Sequence, residues 1–248
     1  MTRAMFLVFG VVAYLIFFVT FLYLVAFVGN LPWVPLTVDR GGIVGPLWSA
    51  IPIDLVLIAL FGLQHSVMAR PAFKRMWTKI VPEAIERSIY VLSASLMLMV
   101  MFLLWQPIPG TIWSVTNGLA ATAIWALFAL GWLIVLLSTF LISHFELFGL
   151  TQVWGHMRGK PSVEPAFRTP FFYKLVRHPL YSGFILAFFA IPHMTAGHLL
   201  LAVGMFVYIL IAIHHEERDL VTMFGDRYVD YRGQVGMLTP RLRRSRSS

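Results

Sequence analysis

A stretch of 24 residues without a charged side chain, residues 5–28, restricts the possible folds more than any other feature of this sequence. About 20 mostly apolar residues span the hydrocarbon core of a bilayer as a helix. The stretch is longer than the apolar core of a signal peptide, and no small-residue cleavage pattern follows it. We therefore expect a membrane-spanning helix that the mature protein retains.

Five more apolar segments follow, and with the first they predict an all-α, polytopic membrane helix bundle. The composition agrees, because 59% of the 248 residues are hydrophobic and only 12% are charged, whereas soluble domains have about 25% charged residues. Only a few residues separate the last two segments, which predicts a helical hairpin. The six segments are residues 5–28, 47–69, 89–105, 118–141, 179–191 and 198–213.

Lysine and arginine fall almost entirely on one side of the predicted membrane. Six crossings put the N-terminus, residues 70–88, residues 142–178 and the tail 214–248 on the same side, and these regions hold 18 of the 19 Lys and Arg residues. Only Arg40 lies opposite. Because basic residues collect in cytoplasmic loops, we expect both termini in the cytoplasm and the protein in the inner (cytoplasmic) membrane of the cell.

The net charge of +8 therefore indicates a lipid bilayer as partner and no nucleic acid. Residues 241–248 are expected to form a disordered basic tail near anionic headgroups. The chain has no cysteine, which excludes disulfides, thiolate metal sites and cysteine nucleophiles. It also lacks a P-loop, a G-x-G-x-x-G turn after a strand and an H-E-x-x-H helix, so we expect no metal site. The sequence leaves the oligomeric state open.

The fifth apolar segment is too short to cross a bilayer. Twelve residues, 180–191, make a helix of about 18 Å against about 30 Å of hydrocarbon. Pro179 suits the first position of a helix, where its missing N–H costs nothing. We expect a helix that starts inside the membrane, with Arg177 and His178 lining a cavity open to the cytoplasm. Polar groups at that depth indicate function.

Three further sets of polar residues lie near the same side. Glu216 and Glu217 follow the sixth segment, are expected to cap its helix, and return to the level of Arg177 and His178; interfacial charge is the alternative explanation. Residues 142–178 begin with His144 and Glu146 and predict either a lid or an amphipathic helix in the interface. His65 fits function and packing equally, and Asp54 is expected to be structural.

Two stretches near the C-terminus carry a resemblance. RHPLYSGF (177–184) and EERDLVTMFGDRYVDYRGQVGML (216–238) resemble the C-terminal signature of the isoprenylcysteine carboxyl methyltransferase-like superfamily of membrane enzymes. Residues 61–92 and 144–154 resemble the branch that contains the NnrU-like proteins and the bacterial methanethiol S-methyltransferases. The signature positions present are Arg177, His178, Pro179, Tyr181, Gly183, Glu216, Glu217, Phe224, Gly225, Tyr228 and Tyr231.

The resemblance implies a single membrane methyltransferase domain over residues 1–248, with four helices in 1–141 and the cofactor site in 142–240. It implies S-adenosyl-L-methionine as cofactor, enclosed between the last helices and the tail. Carboxylates suit its ammonium and ribose hydroxyls, a cation suits its carboxylate, and tyrosine rings suit adenine. The residues expected to bind it are Arg177, His178, Pro179, Tyr181, Gly183, Glu216, Glu217, Tyr228, Tyr231 and Gln152.

The same resemblance implies a small thiol as methyl acceptor, with methanethiol converted to dimethyl sulfide. Because the thiolate is the nucleophile, a positioned base would assist, and histidine is the usual one. His65, His144 and His178 are the candidates. Two alternatives stay open: a lipid or a lipidated carboxyl or amine as acceptor, and a non-enzymatic NnrU-like accessory protein.

Overall fold

A computed structural model describes residues 2–160 and 167–241, so the predicted basic tail lies outside it except for Arg241. In chain order the elements are α1 (Arg3–Val28), α2 (Leu47–Ala69), α3 (Pro71–Trp77), α4 (Glu83–Leu104), β1 (Thr111–Ser114), α5 (Gly118–Ile142), α6 (His144–Leu147), α7 (Leu150–Met157), α8 (Pro179–Phe189), β2 (His193–Thr195), α9 (Ala196–Phe224) and α10 (Asp226–Gln234). A 3-10 turn, Phe171–Lys174, precedes α8.

Five of these helices, α1, α2, α4, α5 and α9, are long and apolar enough to cross a membrane. They confirm the prediction of an all-α, polytopic membrane helix bundle. The shorter apolar helix α8 has 11 residues, or about 16 Å, as its sequence predicts. We call the end of the bundle at which α1 begins and α9 ends the terminal end, and the opposite end the sheet end.

The two-stranded sheet at the sheet end was not predicted. β1 and β2 pair antiparallel, and the indole Nε1 of Trp113 donates to the carbonyl of Ile191 at 2.9 Å. Across the same turn the imidazole Nε2 of His198 donates to the carbonyl of Phe188 at 2.9 Å. The His198 bond joins α8 to α9 as the expected hairpin, and the Trp113 bond ties β1 to the turn between them.

α8 is held against α5 by two glycines. A Cβ added at Gly183 would lie 2.7 Å from the carbonyl oxygen of Gly131, and one added at Gly131 would lie 2.7 Å from the amide nitrogen of Ala187. Such contacts let two backbones touch, which is how membrane helices gain packing energy without a hydrophobic driving force. The crossing fixes where α8 begins, and therefore where Arg177 and His178 lie.

Two predicted boundaries change in the structure. α9 continues to Phe224, eleven residues beyond the predicted end at residue 213, because its polar final turns keep good helix-forming residues. Glu216 and Glu217 therefore lie inside α9, and the expectation that they cap it is wrong. α4 begins at Glu83 rather than at residue 89 for the same reason.

The segment predicted as a lid or an interfacial helix contains α6 and α7, and its residues 161–166 lie outside the described part of the chain. α7 packs against α1 and α4. Val153 on α7 is fully buried, and a Cβ at Gly10 of α1 would lie 2.7 Å from its Cγ2. The described helices are thus docked on the bundle, which favours the helical interpretation over the lid.

Candidate functional site

Arg177 and His178 meet Glu217 at the terminal end of the bundle. One carboxylate oxygen of Glu217, Oε1, lies 2.8 Å from Nε of Arg177 and 3.1 Å from Nε2 of His178. The three side chains are only 10%, 5% and 12% exposed in the order Arg177, His178, Glu217. Pro179 starts α8 and disfavours helical backbone in the residue before it, so His178, at φ −125° and ψ 63°, lies just outside the helix.

The segment after α10 folds back over this cluster. The amide of Arg177 donates to the carbonyl of Gly236 at 2.8 Å, and that of His178 donates to Met237 at 3.1 Å. The Arg177 guanidinium also donates to the carbonyl of Val235 at 2.5 Å. A cavity of about 430 Å³ beside it is lined by Arg177, Arg232 and residues 235–241. The tail therefore forms one wall of the site.

The second carboxylate of α9 bonds the first turn of α8. The hydroxyl of Tyr181 donates to Oε2 of Glu216 at 3.0 Å, and its ring lies 5.7 Å from that of His178. Two neighbouring acidic residues on α9 thus contact the beginning of α8. The structure brings together the two clusters that the sequence predicts to converge.

Two tyrosines of α10 add an aromatic surface. Tyr228 is 2% exposed, and its hydroxyl has no hydrogen-bond partner within residues 2–160 and 167–241. The hydroxyl of Tyr231 donates to the carbonyl of Tyr173 at 2.5 Å. Burial raises the pKa of Tyr228, and burial raises the pKa of Tyr231 to about 12, so both phenols are neutral. With Phe167, whose ring is 5.6 Å from that of Tyr231, they could cover a flat aromatic ligand.

His144 occupies a different environment from His178. Its Nε2 lies 2.9 Å from the Tyr14 hydroxyl and its Nδ1 lies 2.8 Å from Oγ1 of Thr139. Its ring stacks on Phe140 at 4.2 Å. Burial lowers the pKa of His144. Both ring nitrogens are bonded to residues of α1 and α5, which accounts for this histidine by packing, and its catalytic role stays a prediction.

Two of the predicted cofactor residues also have local partners. The amide Nε2 of Gln152 donates to the carbonyl of Glu146 at 3.0 Å, which closes the turn between α6 and α7. Gly183 faces Gly131 at the α5 crossing. Its lack of a side chain is therefore explained by helix packing, and a contact with cofactor stays a prediction. Pro179 is buried at the first position of α8.

His65 lies on α2 beside Tyr90 of α4. The Tyr90 hydroxyl is 2.9 Å from Nε2 and 3.2 Å from Nδ1 of His65. One hydroxyl bonds well to only one ring nitrogen, because the bond must be nearly linear. Among the described residues, the Tyr90 hydroxyl thus bonds one nitrogen of His65 at a time. Phe61 stacks on the imidazole at 5.3 Å.

Sequence reasoning missed Tyr90 and its neighbours. Tyr90 is buried, and the guanidinium of Arg87 lies over its ring at 4.9 Å. Arg70, which ends α2, pairs with Asp219 of α9 at 2.9 Å. The sequence does place a tyrosine close to an arginine at the terminal end of an apolar segment. A buried tyrosine hydroxyl there needs a hydrogen-bond partner, and this could have pointed to Tyr90.

The chain is similar to proteins named methanethiol S-methyltransferase. It is 50% identical over 240 residues to the one of Mycobacterium tuberculosis, covering 97% of this chain and 98% of that protein. It is 52% identical over 233 residues to methanethiol S-methyltransferase 1 of Bradyrhizobium diazoefficiens, covering 94% and 81%, and 50% identical over 222 residues to that of Pseudomonas deceptionensis, covering 89% and 84%. No family model matches the chain, and no solved structure matches it.

Proposed function

Since this chain belongs to the methanethiol S-methyltransferase family, we propose that it is a membrane enzyme that methylates methanethiol to dimethyl sulfide, with S-adenosyl-L-methionine as methyl donor. The observation that carries the proposal is the meeting of an arginine and a histidine with two carboxylates at the start of α8. Arg177 and His178 bond Glu217, and Tyr181 bonds Glu216. These groups together suit a ligand that carries both a positive and a negative charge.

The residues at this cluster fit the donor by their chemistry. Glu216 and Glu217 offer carboxylate oxygens to an ammonium group and ribose hydroxyls, and Arg177 offers a cation to a carboxylate. The buried Tyr228 hydroxyl, which has no partner among the described residues, suits a polar edge of a flat base, whose face would lie on the tyrosine rings. When bound, the donor supplies a methyl group on a sulfonium sulfur, which a thiolate takes up.

The protein's task toward the acceptor is to remove a proton. A cysteine-like thiol has a pKa near 8.5, so only a small part is thiolate at neutral pH, and the thiolate is the nucleophile. Among the three candidate histidines, His178 is engaged with Glu217 and His144 has both nitrogens bonded. Among the described residues, both nitrogens of His65 meet the same Tyr90 hydroxyl, which can bond well to only one of them, and this supports His65 as the base.

Tyr90 supports the same assignment for His65. The Tyr90 hydroxyl bonds the imidazole at 2.9 Å, and the guanidinium of Arg87 lies over the Tyr90 ring at 4.9 Å. We infer that Tyr90 fixes which nitrogen of His65 carries the proton, and that the free nitrogen accepts the thiol proton.

The same proposal includes the orientation and the membrane. The regions that join the helices at the terminal end, together with both chain ends, hold 18 of the 19 Lys and Arg residues. Such a bias supports a terminal end that faces the cytoplasm, in the inner membrane. A volatile apolar thiol can then reach the site from the bilayer, while the charged donor comes from the cytoplasm.

The test uses purified protein in nanodiscs with isotopically labelled S-adenosyl-L-methionine and methanethiol, and dimethyl sulfide is measured by gas chromatography. We expect labelled dimethyl sulfide from the wild type and almost none from Glu217→Ala. Calorimetry on both proteins reports binding of the donor separately from turnover. Wild-type product no greater than that of Glu217→Ala would reject the proposal.

A further inference from the structure

Four aromatic side chains outside the signature residues form a continuous row across three helices. Phe61 of α2 meets Tyr208 of α9 edge to face, with ring centres 5.9 Å apart, and stacks on His65 at 5.3 Å. The ring of His65 lies 5.0 Å from that of Tyr90 on α4. We call Phe61, His65, Tyr90 and Tyr208 the aromatic row.

The aromatic row borders the candidate site. Tyr208 precedes Glu216 by eight residues on α9, about 12 Å along the helix, and Phe61 connects its ring to that of His65. Between Tyr208 and Glu216, α9 buries Ile209, Ala212 and Ile213 in the bundle interior. Tyr208 thus lies farther from the terminal end than Glu216, one ring away from His65.

Tyr208 is held in place by a glycine. A Cβ added at Gly62 of α2 would lie 2.7 Å from Cδ2 and 3.1 Å from Cε2 of the Tyr208 ring. The ring therefore rests directly on the backbone of α2, and Phe61 covers its edge. It cannot move away toward α2 to make room for a larger ligand.

We propose that Tyr208 sets the size of the methyl acceptor and restricts the enzyme to thiols of about one or two carbons. The inference rests on the proposed function, and adds to it the residue that excludes longer chains. A thiol whose sulfur meets the free nitrogen of His65 has its alkyl group beside the neighbouring rings of the row. A thiol with additional methylene groups then clashes with the ring of Tyr208. One methylene in an apolar pocket changes kcat/KM by roughly 10-fold or more.

The experiment compares methanethiol with 1-propanethiol as acceptors for the wild type, Tyr208→Phe and Tyr208→Ala in nanodiscs. We expect the wild type to favour methanethiol by at least about 100-fold in kcat/KM, since two methylenes are rejected. Tyr208→Phe keeps the ring and should keep that ratio. Tyr208→Ala should lower the ratio by at least about 10-fold. If Tyr208→Ala does not fold, Tyr208→Leu removes the same ring volume in part and should shift the ratio in the same direction.

A variant of α2 tests the position of the Tyr208 ring from the opposite side. Gly62→Ala pushes the Tyr208 ring into the site and should lower kcat/KM for methanethiol by about 10-fold, as a misplaced group does. The double variant Gly62→Ala/Tyr208→Ala removes the clash and should recover most of that loss.

The outcomes separate the two proposals. Methylation of methanethiol with a ratio that Tyr208→Ala and Tyr208→Leu leave unchanged overturns the inference and leaves the proposed function standing. The inference is also overturned if the wild type favours methanethiol over 1-propanethiol by less than about 3-fold, since one rejected methylene already changes kcat/KM more than that. No methylation of any thiol by the wild type overturns both.

Discussion

The two ends of the bundle both bury carboxylates, but the partners differ. At the terminal end Glu217 is bonded by the cationic Arg177 and by His178. At the sheet end Asp54 is fully buried, and its Oδ1 accepts the backbone N–H of Gln106 at 2.9 Å. Asp39, also at the sheet end, accepts from the Asn30 amide at 3.1 Å and from the Thr195 hydroxyl.

This difference separates structural from functional polar groups. Neutral donors at the sheet end tie loops to helices, and each such bond stabilises the fold modestly. Ionised partners cost far more to bury, and replacing a buried ion pair by apolar residues is often neutral or stabilising. A membrane protein that keeps an arginine, a histidine and two glutamates at one place therefore indicates a charged ligand there. Burial of a carboxylate alone does not, as Asp54 shows.

Glu217→Gln is the strongest way to break the comparison. The amide keeps the size of the side chain and removes the charge, so Arg177 is left buried without its anion. Breaking such a pair costs about 3–5 kcal/mol of folding stability, and because the displaced groups no longer position the donor, we expect dimethyl sulfide formation per folded molecule to fall by about 100-fold. The matched control is Asp39→Asn at the sheet end, which should change the rate by less than about 3-fold, within the modest range of a neutral hydrogen bond. Equal losses in both variants would refute the distinction.

Replacing His65 and His144 compares two buried histidines with different partners. His65→Ala removes the proposed base and should lower kcat by about 100-fold, the lower range for a general base. His144→Ala removes only packing and two hydrogen bonds, and should lower thermal stability with little effect on kcat per folded molecule. The rates are measured by dimethyl sulfide formation, and folding by thermal unfolding in detergent. A larger loss of kcat from His144→Ala would reverse the assignment.

Much of this fold follows from arithmetic on the sequence. A segment of twelve residues cannot span a bilayer, so the short helix α8 and the buried Arg177 and His178 before it could be predicted from helix rise alone. Glu216 and Glu217 could be added because a hairpin returns to the side it came from. The position of Glu216 and Glu217 inside α9 could not be predicted, because the apolar segment ends at residue 213 while the helix continues to Phe224.

The histidines show where sequence reasoning stops. His65, His144 and His178 each lie at the boundary of an apolar segment, and composition treats them alike. What separates them is their partners, and His144 takes one of its two from Tyr14, 130 residues away in the chain. The aromatic row likewise draws on α2, α4 and α9. Contacts between helices of this kind leave no periodic signal in a single sequence.

Tyr181→Phe sharpens the comparison within the terminal end. It removes the hydroxyl that donates to Glu216 and keeps the ring against His178. A hydrogen bond to a charged group contributes about 1.5–3 kcal/mol, and because Glu216 can partly rebond to water, we expect a loss of about 10-fold in kcat/KM. Calorimetry should show weaker binding of S-adenosyl-L-methionine. Tyr23→Phe, which removes a hydroxyl bonded to the Leu36 carbonyl near the sheet end, serves as control, and an equal loss there would contradict the prediction.

Asp54→Ala tests the sheet end and should affect activity least. The backbone N–H of Gln106 loses its acceptor at a buried position, which costs about 1–3 kcal/mol and should lower the midpoint of thermal unfolding in detergent by several degrees. The site lies at the opposite end of the bundle, so kcat per folded molecule should stay within about 2-fold of wild type, since distant sites act independently. Asp54→Asn keeps an acceptor oxygen for Gln106 and should recover most of the lost stability. If Asp54→Ala instead left the unfolding midpoint unchanged and abolished turnover, the buried carboxylate at the sheet end would be functional after all, and the type of partner would no longer distinguish the two ends.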